Sequence, residues 1–141
     1  MYEHTINVPL LMRGPGVPRG VTFETQMYLR DLFPTICDFA HAPLLNPVDG
    51  RSVRPVLEGN QETLYPYVFG YFRDYQRMVR GPRWKLIYYP KIDRWQLFDL
   101  KQDPHELHNV AQQPAHATTL HRLQQQLVAW QRGVGDDLLA K

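Results

Sequence analysis

Apolar residues change their spacing twice along this chain. Between Thr5 and Met12 (Thr-Ile-Asn-Val-Pro-Leu-Leu-Met) they crowd into a short β-prone run. Pro9 removes a ladder donor there, which places that strand at a sheet edge or makes Pro9 its end. Arg13–Gly20 then packs three glycines and two prolines into a loop. From Asp31 the period becomes helical: Phe33, Ile36, Cys37 and Ala40 fall at i, i+3, i+4 and i+7, which predicts a helix to about Ala40 with that stripe in the core. Asp31 supplies an N-cap, and Pro34 falls in the first turn, where its missing N–H costs nothing. Residues 42–62, with Pro43, Pro47, Asp49-Gly50, Pro55 and Gly59-Asn60, read as a loop holding one short helical turn.

After Tyr65 the pattern is that of strands: 65–72, 76–80, 83–89 and 95–100. Gly81-Pro82 and residues 90–94 separate them closely enough for hairpins, so the sheet is expected to be antiparallel. Trp84, Leu86 and Tyr88 alternate with Arg83, Lys85, Ile87 and Tyr89, which predicts one covered face and one amphipathic face. Asp103-Pro104-His105-Glu106 has the form of a helix start. A longer helix should run from near Pro114 to before Gly133, burying Ala117, Leu120, Leu123, Leu127 and Trp130; residues 133–141 form a tail. The layout is α+β.

Composition narrows the classes. At 141 residues, 43% hydrophobic and 21% charged, the chain has the size and balance of one ordinary globular domain. No apolar run reaches bilayer-spanning length, and the first residues do not read as a signal peptide. The single Cys37 rules out an internal disulfide. Net charge is only +2, yet residues 73–101 hold eight basic side chains against three acids.

Candidate chemistry is sparse. His105 and His108 stand three apart, one short of the zinc-protease spacing, and His116 and His121 point to different sides of a helix. Cys37, on an apolar stripe, reads as a small buried hydrophobe, and Ser52 lacks the Gly-x-Ser-x-Gly elbow. Asp136 and Asp137 read as solvated. The basic, aromatic sheet could stack single-stranded nucleic acid, but Trp84, Leu86, Tyr88, Trp95 and Leu97 look like inward-facing positions.

Several strings together resemble the type I, formylglycine-dependent sulfatases of the alkaline phosphatase superfamily. Tyr2-Glu3, Val8-Pro9-Leu10 and Arg13–Pro18 resemble the segment that follows the active-site lysine. Asp31-Leu-Phe-Pro-Thr35 and Gly50-Arg-Ser52 resemble a helix start and a loop of that family. Met78-Val-Arg80, Trp84–Tyr88, Leu97–Leu100, Asp103-Pro104, Glu106-Leu107 and Asn109 resemble its C-terminal subdomain, in order.

The resemblance implies the C-terminal portion of such a fold. Residues 1–62 would end the α/β core with a large-sheet strand, a helix and a loop; residues 63–141 would form the small antiparallel sheet of about four strands with its terminal helix. It implies sulfuric ester hydrolysis as the parent activity, with calcium and a formylglycine expected in the full-length parent. Neither Cys37 nor Ser52 sits in Cys/Ser-x-Pro-x-Arg, and no aspartate cluster precedes a Gly-Lys, so this chain is expected to hold no catalytic residue, metal ligand or cofactor and to be inert alone. Its role would be packing plus one wall of the substrate cleft, with His4 and Arg73 as candidate cleft residues. Its partners would be the N-terminal sulfatase core and a sulfated small molecule or sugar, with no nucleic acid and no membrane. The family is often periplasmic, secreted or lysosomal, which leaves the compartment open. The alternatives are a stand-alone binding or assembly module and a single-stranded nucleic-acid binder.

Overall fold

The structure, a computed structural model, describes residues 1–44 and 48–138. The chain gathers into two compact units: Pro9–Val68, and Met1–Val8 together with the residues from Phe69 onward. The division expected at 62/63 concerned the architecture of the parent family, whereas these units group residues by packing.

The sheet unit opens with a short helix, α1 (Glu3–Ile6), where an extended segment was expected. Thr5–Met12 is not a strand. Asn7–Met12 is irregular, Val8, Leu10 and Leu11 are exposed, and every strand among the described residues belongs to the small sheet. A β-prone run becomes a strand only beside a neighbour that can take its ladder hydrogen bonds.

The small sheet matches its prediction closely. β1 (Val68–Phe72), β2 (Gln76–Arg80), β3 (Trp84–Tyr89) and β4 (Arg94–Asp99) lie in the order β1-β2-β3-β4. β2–β3 and β3–β4 are antiparallel, with Val79 opposite Leu86 and Leu86 opposite Leu97. Both faces of the sheet are covered, not one. Val79, Leu86 and Leu97 share a face with Arg77, Trp84 and Tyr88, and α4 (Ala117–Gly133) packs there, burying Leu123 and Leu127. Phe69 stacks on Trp130 at 5.3 Å. The opposite face carries Met78, Ile87 and Phe98, and Met1, Tyr2 and Ile6 pack on them. Each large side chain so buried contributes about 1.5–3 kcal/mol.

Residues 103–106 form a turn rather than a helix. The Asp103 carboxylate accepts the N–H groups of Leu107 and His108 (3.1 and 2.8 Å), so its capping capacity closes a loop. Glu106 takes a left-handed conformation (φ 56°) that a helix cannot continue. Asn109 then accepts the Leu97 N–H at 2.9 Å, covering the outer edge of β4.

In the helical unit, α2 (Leu32–Phe39) and α3 (Arg54–Leu57) are joined by polar anchors. Asp31, fully buried, accepts the N–H groups of Tyr28 (2.6 Å) and Arg51 (2.9 Å) and the Tyr65 hydroxyl (2.9 Å). It does not cap α2 through its side chain. Thr35 donates to the Asp31 carbonyl and accepts the Val53 N–H. Ser52 donates to Asp38, and Arg54 bridges Asp38 and Glu58. A small apolar cluster of Val53, Val56 and Leu64 completes the unit.

The predicted core stripe of α2 faces the other way. Phe33, Ile36 and Ala40 are exposed and Cys37 is half-buried, whereas Pro34 and Thr35 are buried. The helix is one-sided as its period requires, but its polar anchors are what it turns inward. The part of the predicted loop at 45–47 and the tail at 139–141 lie outside the described residues.

Candidate functional site

The most constrained chemistry of the sheet unit is an ionic cluster under α1. Lys85, on the same face as Ile87, is 0% exposed. Its Nζ lies 2.8 Å from Glu3 Oε1 and 2.7 Å from Glu106 Oε1. Glu106 Oε2 accepts the backbone N–H of Glu3, and Arg80 reaches both Glu3 oxygens at 3.0 and 3.2 Å. Glu3 is thus gripped by backbone and side chain together. Burial alone would raise the Glu3 carboxyl, but hydrogen bonds from Arg80 and Lys85 outweigh it and hold it below its ordinary value.

Two cations and two carboxylates leave this cluster neutral. Ions so enclosed repay their desolvation only when every lone pair and proton is used, so such a cluster fixes a conformation more than it adds stability. What it fixes is the seat of residues 1–6 on the sheet. A second layer supports that seat: Gln96 Oε1 accepts from the hydroxyls of Tyr2 (2.9 Å) and Tyr89 (2.8 Å), and burial first, then Tyr2, pushes the Tyr89 phenol up to about 12.

His4 projects from the same short helix but outward, its ring stacked on Tyr2 at 5.8 Å. Arg73 sits in the β1–β2 turn at φ 47°, exposed, with its guanidinium 5.9 Å over Phe72. The two share no hydrogen bond or ring contact among the described residues. Sequence reasoning named these two and missed Glu3, Lys85 and Glu106. The available signal was a lysine on the strand face whose next member, Ile87, is apolar.

The basic block is mostly neutralised from within the fold. Arg77 pairs with Asp136, Arg80 with Glu3, Arg83 with Asp99, Lys85 with Glu3 and Glu106, and Lys91 with Asp74. Asp136 is not a solvated tail residue. It grips Arg77 through both oxygens (2.5 and 2.9 Å) and accepts from the buried Gln131, and that Arg77 hydrogen bond holds its carboxyl far below the usual range. Among the described residues, Arg73, Arg94 and Lys101 make no ion pair within 4.0 Å, although the charge of Arg73 acts on Asp74.

A family profile described as N-sulphoglucosamine sulphohydrolase, C-terminal, matches residues 1–133. The chain belongs to this sulfatase family. It is 34% identical over 130 residues to the Delta 4,5-hexuronate-2-O-sulfatase of Bacteroides thetaiotaomicron, covering 84% of this chain and 27% of that one. It is 36% identical over 125 residues to human arylsulfatase K, covering 79% and 23%. Among solved structures, a phosphonate monoester hydrolase from Silicibacter pomeroyi aligns with a TM-score of 0.70 at 30% identity, covering 91% of this chain and 29% of that one. The chain thus spans about a quarter of the length of these sulfatases and matches their C-terminal portion.

Family membership implies calcium and formylglycine in full-length sulfatases. The side chains of this sulfatase C-terminal portion do not fit either group. Among the described residues no three His, Cys, Asp or Glu side chains converge as a cation site requires, and Cys37 lies in Cys-Asp-Phe-Ala-His.

Proposed function

We propose that this chain works as the C-terminal portion of a sulfuric ester hydrolase, supplying packing and one wall of the substrate cleft. The observation that carries this reading is how the residues of the resemblance are occupied. Glu3, Lys85, Asp99, Glu106 and Asn109 are engaged with one another, with Arg83 and with the sheet backbone, as residues that pack the fold would be. In this reading the nucleophile, the calcium and its ligands belong to the remaining three quarters of the sulfatase fold. His4 and Arg73 are the outward-facing polar groups offered to a sulfated small molecule or sugar. A guanidinium suits a sulfate oxygen pair, and a histidine can donate to it.

One finding favours a second ester class. The phosphonate monoester hydrolase aligns over nearly the whole chain, so a phosphonate ester is the competing substrate type.

Two preparations test the reading. The chain alone, with calcium and 4-nitrophenyl sulfate, should show no turnover. A chimera carrying this chain in place of the C-terminal quarter of the Bacteroides hexuronate sulfatase should turn over that enzyme's substrate, and His4→Ala or Arg73→Ala in it should raise KM with little change in melting temperature. Turnover by the isolated chain, or a folded but inactive chimera, contradicts the proposal. Cleavage of a phosphonate monoester in preference to the sulfate ester would select the second class.

A further inference from the structure

The helical unit holds two arginines that no carboxylate among the described residues pairs with. Arg30 lies over the Tyr28 ring at 4.1 Å, and Arg51 lies over the Tyr65 ring at 5.1 Å. The two rings meet edge to face, with centroids 5.2 Å apart. Arg54, Arg77, Arg83 and Lys91 also lie over rings, yet each of them is ion-paired. Among the described residues Arg30 and Arg51 are exposed and their guanidiniums make no ion pair or hydrogen bond, not even with the nearby Asp49. One buried carboxylate assembles the group. Asp31 accepts the N–H groups of Tyr28 and Arg51 and the Tyr65 hydroxyl, so it fixes both rings and the backbone of Arg51. The Arg30 carbonyl oxygen fills the space that a Cβ on Gly50 would need, so the two arginines leave backbone segments in direct contact. Both guanidiniums also oppose the upward push that burial, then Asp31, gives the Tyr65 phenol, as charges close to one hydroxyl do.

A guanidinium stacked on a ring keeps its N–H groups around its rim, where an anion can still reach them. Stacking also restrains the side chain, so less rotamer freedom is lost when the anion arrives. Two such forks on adjoining segments repel one another and outnumber the single carboxylate beneath them. We propose that Arg30 and Arg51 together bind an oxyanion, sulfate or phosphate, through charge-assisted hydrogen bonds from their stacked guanidiniums. A neutral ligand would leave their charge uncompensated. A planar carboxylate engages one fork at a time, whereas a tetrahedral oxyanion offers a separate oxygen pair to each. These residues have no part in the hydrolase reading, so the site stands or falls without it.

The test is calorimetric titration of the full chain with sodium sulfate and with sodium phosphate, at ionic strength held constant with chloride. Saturable binding is expected, with the Nε–H NMR signals of Arg30 and Arg51 shifting together. Arg30→Gln and Arg51→Gln should each weaken it by about tenfold or more, the loss of one charge-assisted contact. Arg51→Lys should weaken it as well, because an ammonium lacks the planar fork. Arg94→Gln, at an exposed arginine of the sheet unit, should leave the affinity unchanged, and every variant should keep the wild-type melting temperature. Glucose 6-sulfate and glucose 6-phosphate separate the two sources of the anion. Tighter binding of these esters than of the inorganic ions supports a site for an ester-borne group, and equal binding supports a site for the free ion. Heat that never saturates, arginine signals that stay still in the wild type, or affinity that the arginine variants leave intact overturns the proposal. So does tighter binding of a triglutamate peptide than of either oxyanion, which would assign the pair to the carboxylates of a protein.

Discussion

Gly50 shows how a single missing side chain can be decisive. The Arg30 carbonyl stands where a Cβ would be, at 2.3 Å, and that carbonyl is backbone, with no flexible end to move aside. Gly50→Ala should therefore destabilise the helical unit by about 1–3 kcal/mol or more, the usual cost of forced overpacking. Urea unfolding followed by far-UV circular dichroism would show it as a lower midpoint; an unchanged midpoint would mean that the Arg30–Gly50 approach relaxes freely. The same scale explains Asp31. Its sequence position says N-cap, but its carboxylate serves Tyr28, Arg51 and Tyr65 instead of its own helix, because partners distant in sequence came within reach.

Among the elements, α1 and β3 are coupled through Lys85. Removing one member of an enclosed ion cluster leaves its partners charged and unpaired, which costs about 3–5 kcal/mol, whereas replacing both partners by apolar groups costs far less. Lys85→Met and Glu106→Leu alone should each lower the urea midpoint strongly, and the double variant Lys85→Met/Glu106→Leu should cost less than the two single losses added together. Strict additivity in that cycle would show the groups to be independent. The strands were legible before any coordinates, because hairpin separators and β-branched or aromatic runs are local signals. Three features were not. Residues 5–12 carry strand propensity but have no neighbouring ladder. Residues 103–106 carry capping residues, yet Glu106 is drawn inward to Lys85. The stripe of α2 was expected in the core and is largely exposed, because periodicity reports that a helix has an apolar face, not what covers it.

For the whole molecule, the pairing of the basic block decides behaviour in acid. Glu3, Asp99 and Asp136 all titrate below their ordinary values, so each stabilises the fold above the unfolded carboxyl range of about 4 and loses that contribution as pH falls through its folded value. Stability should be nearly flat from pH 7 to about 5 and fall below about 4. Asp136→Asn should lower the neutral plateau and flatten the acid limb, as read from urea midpoints across pH; an acid limb identical to wild type would mean that the Arg77–Asp136 contact contributes nothing. The candidate site was only half legible for the same reason. Charge counting over residues 73–101 found the cations, but the acids that neutralise Arg77, Arg80 and Lys85 come from residues 3, 106 and 136, far off in sequence.

The division into two units also sets what light can report. Trp84, Trp95 and Trp130, the three tryptophans of the sequence, all belong to the sheet unit, with Trp95 stacked 4.3 Å from Tyr88 and Trp130 on Phe69. The helical unit has tyrosines such as Tyr28 and Tyr65 but no indole. Indole fluorescence thus watches one half of this polypeptide and is blind to the other, so a single clean emission curve would describe the sheet half alone.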